Sequence, residues 1–187
     1  DIHFGKREIP FGRELYIEQS DFMEYPKNKF FRLSQGTEVR LMHAYYIVCE
    51  NIIKDKNGDI VELHCKYDPK SKGGWTNDGR KVKGTLHWVS IKHAINTTIN
   101  LYDRLFNSEN PMEAKNIQEL SKMINPNSLS IVKDAKAEPC LQEATLKQKY
   151  QFIRKGYFIL DANSKTNNLH FNQSVALKDS WIKKNVS

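Results

Sequence analysis

From Val39 the chain places an apolar, aromatic or imidazole side chain at every second position, through Leu41, His43, Tyr45, Ile47 and Cys49. A period of two is the signature of a β-strand with one face buried. The run halts at Asp55-Lys56-Asn57-Gly58-Asp59 and resumes with Val61, Leu63, Cys65 and Tyr67. Asn-Gly between two alternating runs marks a hairpin. Pairing Asp55 with Asp59 across the loop sets Ile53 opposite Val61, Ile47 opposite Tyr67 and Cys49 opposite Cys65. A chain committed to this hairpin folds around a sheet.

The rest of the sequence repeats the pattern. After Asp68-Pro69 comes a polar stretch with Gly73, Gly74 and Gly79, too rich in glycine and lysine for an interior element. A third strand follows, with Val82, Gly84, Leu86 and Trp88 on one face and Lys81, Lys83, Thr85 and His87 on the other. Ile99 to Phe106, Leu129 to Lys133, Gln151 to Arg154, Tyr157 to Asp161 and Leu169 to Leu177 read as further short strands. Two helices are expected. Asp21 and Glu24 form a capping-box pattern before Pro26, and Pro111 opens a helix that runs through Ile117 and Leu120 to Asn125-Pro126. The expected fold is therefore all-β: two small β-barrels with a few short helices. The first barrel is assigned to residues 1–106, and the connecting helix and second barrel to 107–187, with a return of the last strand to the first barrel kept open.

Charge narrows the functional classes. Lys and Arg number 29 against 22 Asp and Glu, a formal net charge of +7, which suits a polyanion partner better than an acidic substrate cleft. No apolar run reaches the roughly 18 residues of a membrane span. Cys49, Cys65 and Cys140 are far apart and follow no CxxC spacing, so a reduced, cytoplasmic chain is expected rather than a disulfide framework or a zinc site. The amino terminus lacks Met and an apolar signal region, and the chain is read as a piece of a longer protein.

Catalytic motifs are not found. His3, His43, His64, His87, His93 and His170 form no HxxxH pair, and neither a GxSxG elbow nor a phosphate-binding GxxxxGK[ST] loop occurs. His43, His64 and His87 are the three that neighbouring strands bring closest, although a strand histidine more often donates to a backbone carbonyl. No metal site is expected.

Residues suited to RNA are easier to find. Lys27, Lys29, Phe30, Phe31 and Arg32 interleave cations with rings, which neutralise phosphate and stack bases respectively. One or two of those rings are equally suited to the core. Arg32 and Arg40 flank a turn at Gln35-Gly36, where a planar guanidinium can grip a base edge or phosphate, or else pair with Glu38 or Glu14. Gln151 and Arg154 share an expected strand, and a Gln amide offers both a donor and an acceptor to an unpaired base. Lys27, Lys81 and Lys83 are the candidates for phosphate contact.

The segments FGRELYIEQSDF, GTEVRL, DGRKVKGTLHWVS, LYDRLF, NPNSL, AEP and QFIRKGYFILD occur in this order between Phe11 and Asp161. In that order the chain, from Phe11 to Trp181, closely resembles the C-terminal anticodon-binding region of the bacterial type of glutaminyl-tRNA synthetase. Archaeal and eukaryotic glutamyl-tRNA synthetases have similar barrels, and the Gln151 to Tyr157 segment favours glutamine. A stand-alone rRNA-binding barrel protein is the other reading. The resemblance implies a class I synthetase that joins glutamine to tRNA(Gln) with ATP and Mg in an upstream catalytic domain, whose HIGH-like and KMSKS-like motifs are absent here. It implies a monomer that needs no cofactor in this region, with two barrels related to a ribosomal 5S RNA-binding protein gripping the anticodon loop. By position, Arg32 and Arg40 match family arginines in the anticodon pockets, Gln151 with Arg154 matches the pair that helps read the central and third letters, and Lys29 is a further RNA-binding candidate. Lys29 stands where the family carries Gln, Phe31 where it carries Lys, and Met42 where it carries Arg. The last departure removes a cation from the pocket for the first letter.

Overall fold

The computed structural model describes residues 6–177; His3 and Trp181, both named above, lie outside the described residues. Contacts divide the chain between His93 and Ala94 into two compact units. Both are built from strands, with one α-helix among the described residues. No described helix is long and apolar enough to cross a membrane.

In the first unit, β1 (Leu15–Ile17) pairs antiparallel with β6 (Trp88–Ser90). A four-stranded sheet holds β2 (Glu38–Leu41), β3 (Tyr46–Lys54), β4 (Ile60–Asp68) and β5 (Thr85–Leu86), in the order β4-β3-β2-β5. The long run expected from Val39 to Cys49 is thus two strands. His43 takes a left-handed φ of 57°, Ala44 N–H donates to Leu41 O, and the chain turns back so that Arg40 faces Tyr46. The Trp88 indole N–H donates to the carbonyl of Met42 at 3.0 Å and fixes that turn from outside.

The hairpin register is as expected near the core and shifted beyond it. Ile47 faces Tyr67 and Cys49 faces Cys65, but Ile53 faces Glu62 rather than Val61. One bulge leaves Glu50 unpaired on β3 and a second leaves Val61 unpaired on β4, so the two irregularities cancel before the Asp55 to Asp59 loop. The third expected strand is reduced to β5 and β6. Residues 79–84 run beside β2 without pairing as a strand, although Gly84 O still accepts Arg40 N–H, and the alternation of exposed Lys81 and Lys83 with buried Gly84 persists. No helix forms at Asp21. A 3-10 turn occupies Gln19–Asp21, and the carboxylate that was to cap a helix is buried and paired with Arg32 instead. Leu33, Val39, Leu41, Ala44, Ile47, Cys49, Leu86 and Trp88 form the core.

The first strand of the second unit is β7 (Ile95–Tyr102), and the division at 93/94 lies thirteen residues before the expected boundary at 106/107. β7 belongs here because both its edges are taken: antiparallel by β8 (Leu129–Ala137) and parallel by β11 (Leu169–Ala176). The strand to which β11 pairs, β7, falls within residues 1–106, the span expected for the first barrel, but the pairing lies within this unit. With β9 (Lys149–Phe152) and β10 (Gly156–Leu160) the order is β8-β7-β11-β10-β9. Pro111–Glu113 forms a 3-10 turn rather than the start of the expected helix. α1 is only Ile117–Lys122, with the Asn116 side chain capping it at Glu119 N–H. Phe158 and Phe171 lie at the centre, Phe152 stacks on Phe158 at 4.3 Å, and Tyr150 meets Phe171 edge-on at 5.8 Å.

Both units are all-β, but their sheets stay open where barrels were expected. Among the described residues no ladder joins β4 to β5 or β8 to β9. The reason is burial. A strand in a closed barrel buries one whole face, whereas most of β4 and β8 is exposed on both faces.

Two features of the second unit carry tests. Gly156 has φ +140°, and a Cβ placed there would lie 2.3 Å from the Val175 carbonyl. Gly156→Ala is expected to destabilise this unit by about 2 to 4 kcal/mol in urea unfolding; an unchanged midpoint would contradict this packing. Asp161 accepts the Asn163 N–H and the Asn172 amide, and these bonds hold its carboxyl below the usual carboxylate range. A carboxyl with a depressed folded pKa stabilises above its unfolded pKa of about 3.9, and that stability is lost as pH falls through the folded value. The acid side of the stability profile is therefore expected to flatten in Asp161→Asn, as read by thermal melts from pH 5 downward.

Candidate nucleic-acid interface

The sequence candidates of the first unit separate into cations already committed to the fold and cations left to solvent. Arg32 is committed. Its Nε lies 3.1 Å from Asp21 Oδ1, its Nη1 donates to Phe31 O at 3.3 Å, and Asp21 is only 1% exposed. The partner of Arg32 is thus neither Glu38 nor Glu14. A carboxylate this deeply buried needs a hydrogen-bonded counter-charge.

Lys27, Lys29 and Lys81 are exposed and have no acidic partner among the described residues. Lys29 sits at a left-handed φ of 65°, just after the carbonyl of Lys27 turns back to accept Phe30 N–H. Lys83 Nζ rests 5.0 Å from the centroid of the Phe31 ring. That ring is exposed, while Phe30 is half-buried and Leu33 is core. Of the three apolar side chains near Arg32, one therefore faces water and carries a cation, an arrangement able to meet both a base and a phosphate.

Arg40 is held differently. Its guanidinium carbon lies 4.8 Å from the Trp75 ring and 5.5 Å from the Tyr46 ring, and Nη2 approaches the Tyr46 hydroxyl at 3.4 Å. Its Nε is buried without a hydrogen-bond partner. No carboxylate pairs with it among the described residues. Arg80, also close to the Tyr46 ring, has the opposite fate. It pairs with Asp68, with Asp78 at 2.8 Å and with Glu38 at 3.2 Å, while its guanidinium carbon lies 5.2 Å from the Tyr46 ring. Arg80 holds the Asp68 carboxyl below its ordinary range, and the Thr76 hydroxyl does most of the same for Asp78. Sequence reasoning passed over Tyr46 and Trp75. For Trp75 a signal existed, because a lone Trp directly after Gly73-Gly74 has no periodic partner and must be placed by something other than a core.

In the second unit Gln151 lies on β9 opposite Tyr157 of β10, exposed and without a side-chain hydrogen bond among the described residues. Arg154 is not in the strand as expected. It occupies the turn between β9 and β10 at a left-handed φ of 63°, followed by the closing Lys155 N–H to Phe152 O bond of 2.8 Å. The strand ends because the chain must reverse before Gly156. Gln151 and Arg154 still share one hairpin.

His43, His64 and His87 do not form a metal site, and the described residues contain no group of three or more potential metal ligands. His64 lies 3.0 Å from Glu62, two positions away on the same strand. Cys49 and Cys65 face each other as free thiols, each raised above the ordinary thiol pKa mainly by desolvation, so both are poor nucleophiles.

The distinction between committed and free cations has a measurable consequence. Arg32→Ala removes the counter-charge that pairs with the buried Asp21 and is expected to cost about 1 to 3 kcal/mol of stability. Adding Asp21→Asn is expected to restore part of that loss in chemical denaturation; additive losses would mean that the ion pair is not the cause.

Two family models match this chain, both described as the anti-codon binding domain of class I (E and Q) tRNA synthetases, over residues 1–68 and 85–161. The chain is 49% identical over 182 residues to a glutamine–tRNA ligase of Clostridium kluyveri, which covers 97% of this chain and 32% of that protein. It is 48% identical to one of Nitrobacter winogradskyi, covering 96% of the chain and 31% of that protein. It is 45% identical to one of Rhodopirellula baltica, covering 98% and 30%. The chain spans about a third of the length of these relatives. Likeness along nearly the whole chain, on two all-β units with solvent-facing cations, makes it a member of the anticodon-binding domains of the class I glutamate and glutamine tRNA synthetases.

Proposed function

We propose that this chain reads the anticodon loop of tRNA(Gln) as the non-catalytic, C-terminal part of a glutamine–tRNA ligase. The observation that carries the reading is the exposed Gln151 amide, without a side-chain hydrogen bond among the described residues and sharing a hairpin with Arg154, in a chain 49% identical to a glutamine–tRNA ligase of Clostridium kluyveri. An unpaired anticodon base offers its Watson–Crick edge, and an amide can answer both a donor and an acceptor on it. A mismatched base then leaves one of those groups unsatisfied, at a cost of about 1 to 3 kcal/mol.

The labour divides along the lines of the geometry. Gln151, Arg154 and Arg40 have hydrogen-bonding groups suited to base edges, and Lys27, Lys29, Lys81 and Lys83 supply the mobile positive charge that phosphate requires. Arg32 acts through the scaffold, by holding Asp21 and the turn that carries Phe31. The ATP- and Mg-dependent attachment of glutamine belongs to the remaining two thirds of such an enzyme, in the cytoplasm, and this region by itself does not charge tRNA. The enzyme acts as a monomer, and its partners are the tRNA and its own catalytic domain.

The test compares two substitutions in the intact enzyme. Gln151→Ala is expected to narrow the affinity gap between tRNA with a glutamine anticodon and a variant altered at the middle letter, by about 1 to 3 kcal/mol. Lys81→Ala is expected to weaken both RNAs equally and to reduce the salt slope by about one unit. Equal losses for both RNAs with Gln151→Ala would make that residue scaffold and remove the support for base reading.

A further inference from the structure

Trp75 is 72% exposed, at the tip of the loop that joins β4 to the Arg80 segment. Its placement is specific. The guanidinium carbon of Arg40 lies 4.8 Å from the ring, and Gly74, at φ +84°, is so close to the Arg40 stem that a Cβ there would meet Arg40 Cδ at 3.0 Å. The foot of the loop is fixed by Arg80, which ties Asp78 to Asp68 and to Glu38 of β2. Ser71 is wholly buried, and its hydroxyl donates to Asp68 O and accepts the Tyr46 N–H. A loop pinned at its foot presents a large ring with an arginine beneath it and most of its surface in water.

The geometry points to Trp75 as a stacking platform for one unpaired base of the bound RNA, directly beside Arg40. The inference rests on the anticodon reading and adds a residue to it. Every base has a π-face, so a ring supplies affinity with little regard to sequence, and an adjacent guanidinium adds hydrogen bonds to a base edge or a phosphate. Arg40 suits the second role because the Tyr46 and Trp75 rings, 5.5 and 4.8 Å from its guanidinium carbon, hold it in place with no carboxylate paired to it among the described residues. Platform and donor together form one subsite: a base lies on the indole, and its edge or its phosphate meets Arg40.

The probe is a hairpin RNA that carries a glutamine anticodon, titrated against the intact protein. Trp75→Ala is expected to bind about 5- to 150-fold more weakly, the loss of one base–aromatic stack, with the salt slope unchanged because no charge is removed. Trp75→Phe keeps a ring and is expected to retain most of the affinity. The RNA-induced quenching of tryptophan emission present in the wild type should shrink in Trp75→Phe by the share due to the stacked indole. Wild-type affinity in Trp75→Ala, with Gln151→Ala still losing discrimination, overturns the platform and leaves the anticodon reading standing. A loss in Trp75→Ala with quenching unchanged in Trp75→Phe also overturns it, by reducing Trp75 to a support for Arg40. If the wild-type protein does not bind the hairpin, the anticodon reading falls and the platform falls with it.

Discussion

The first unit depends on one buried phenol ring. Tyr46 is 2% exposed, yet two guanidiniums lie over its ring: Arg40 at 5.5 Å and Arg80 at 5.2 Å. Two cations near one ring repel each other, and the arrangement holds because their surroundings differ. Arg80 is neutralised by three carboxylates from three parts of the chain, which draw Glu38, Asp68 and Asp78 to one point. Arg40 has none, and its charge remains as the local excess. The same tyrosine opens β3, faces Arg40 across the β2–β3 ladder, and has its N–H held by Ser71. Core packing, strand register, loop anchoring and the placement of an unneutralised arginine therefore meet at a single residue.

This explains why net charge alone says little about where a polyanion binds. Of the basic side chains that the sequence singles out, Arg32 serves a buried Asp21, and Arg80 serves the loop. Removing either is a structural event first. The exposed lysines cost the fold little and leave their charge for solvent or phosphate. A paired surface charge adds only about 0 to 1 kcal/mol to stability, so leaving Lys27, Lys29 and Lys81 unpaired sacrifices little of it.

What the sequence made legible was whatever local chemistry decides. Asn57-Gly58 and the alternation on either side placed the β3–β4 hairpin, including the Cys49 and Cys65 pairing. The all-β class followed from many such runs, and so did the strand that carries Gln151. Decisions made by distant residues were hidden. The turn at His43 contains no Gly, Pro or Asn, and part of what holds it is the Trp88 indole, 46 positions away. Asp21 reads as a helix cap until Arg32 is seen to claim it. The boundary at 93/94 depends on β7 pairing in parallel with β11, more than 70 positions later, which no local periodicity contains. The barrels failed to close for a similar reason: alternation in β4 forecasts a buried face, but only a covering layer could bury it.

On the proposed anticodon reading, the β9–β10 hairpin has to present Gln151 with fixed geometry from an open sheet. A free Gln amide reads a base only if its backbone does not yield when the wrong base arrives, because otherwise the mismatch relaxes and its cost disappears. Gln151 is on an edge strand, the least restrained position in a sheet, yet its hairpin is tied to β11 from three sides. Gly156 packs against the Val175 carbonyl, Gln173 Nε2 donates to Lys155 O at 3.1 Å, and the Ser174 hydroxyl donates to Tyr157 O at 3.0 Å. Beneath it, Phe152 is stacked on Phe158 and set edge-on against Phe171 at 5.4 Å. β11 is in turn bound to β7 through an amide chain in which Asp161, able only to accept, orients Asn172 so that its oxygen meets Asn100 and Tyr102. Rigidity at Gln151 is thus inherited from side chains on neighbouring strands, and any discrimination by one exposed amide is limited by how firmly they hold its strand.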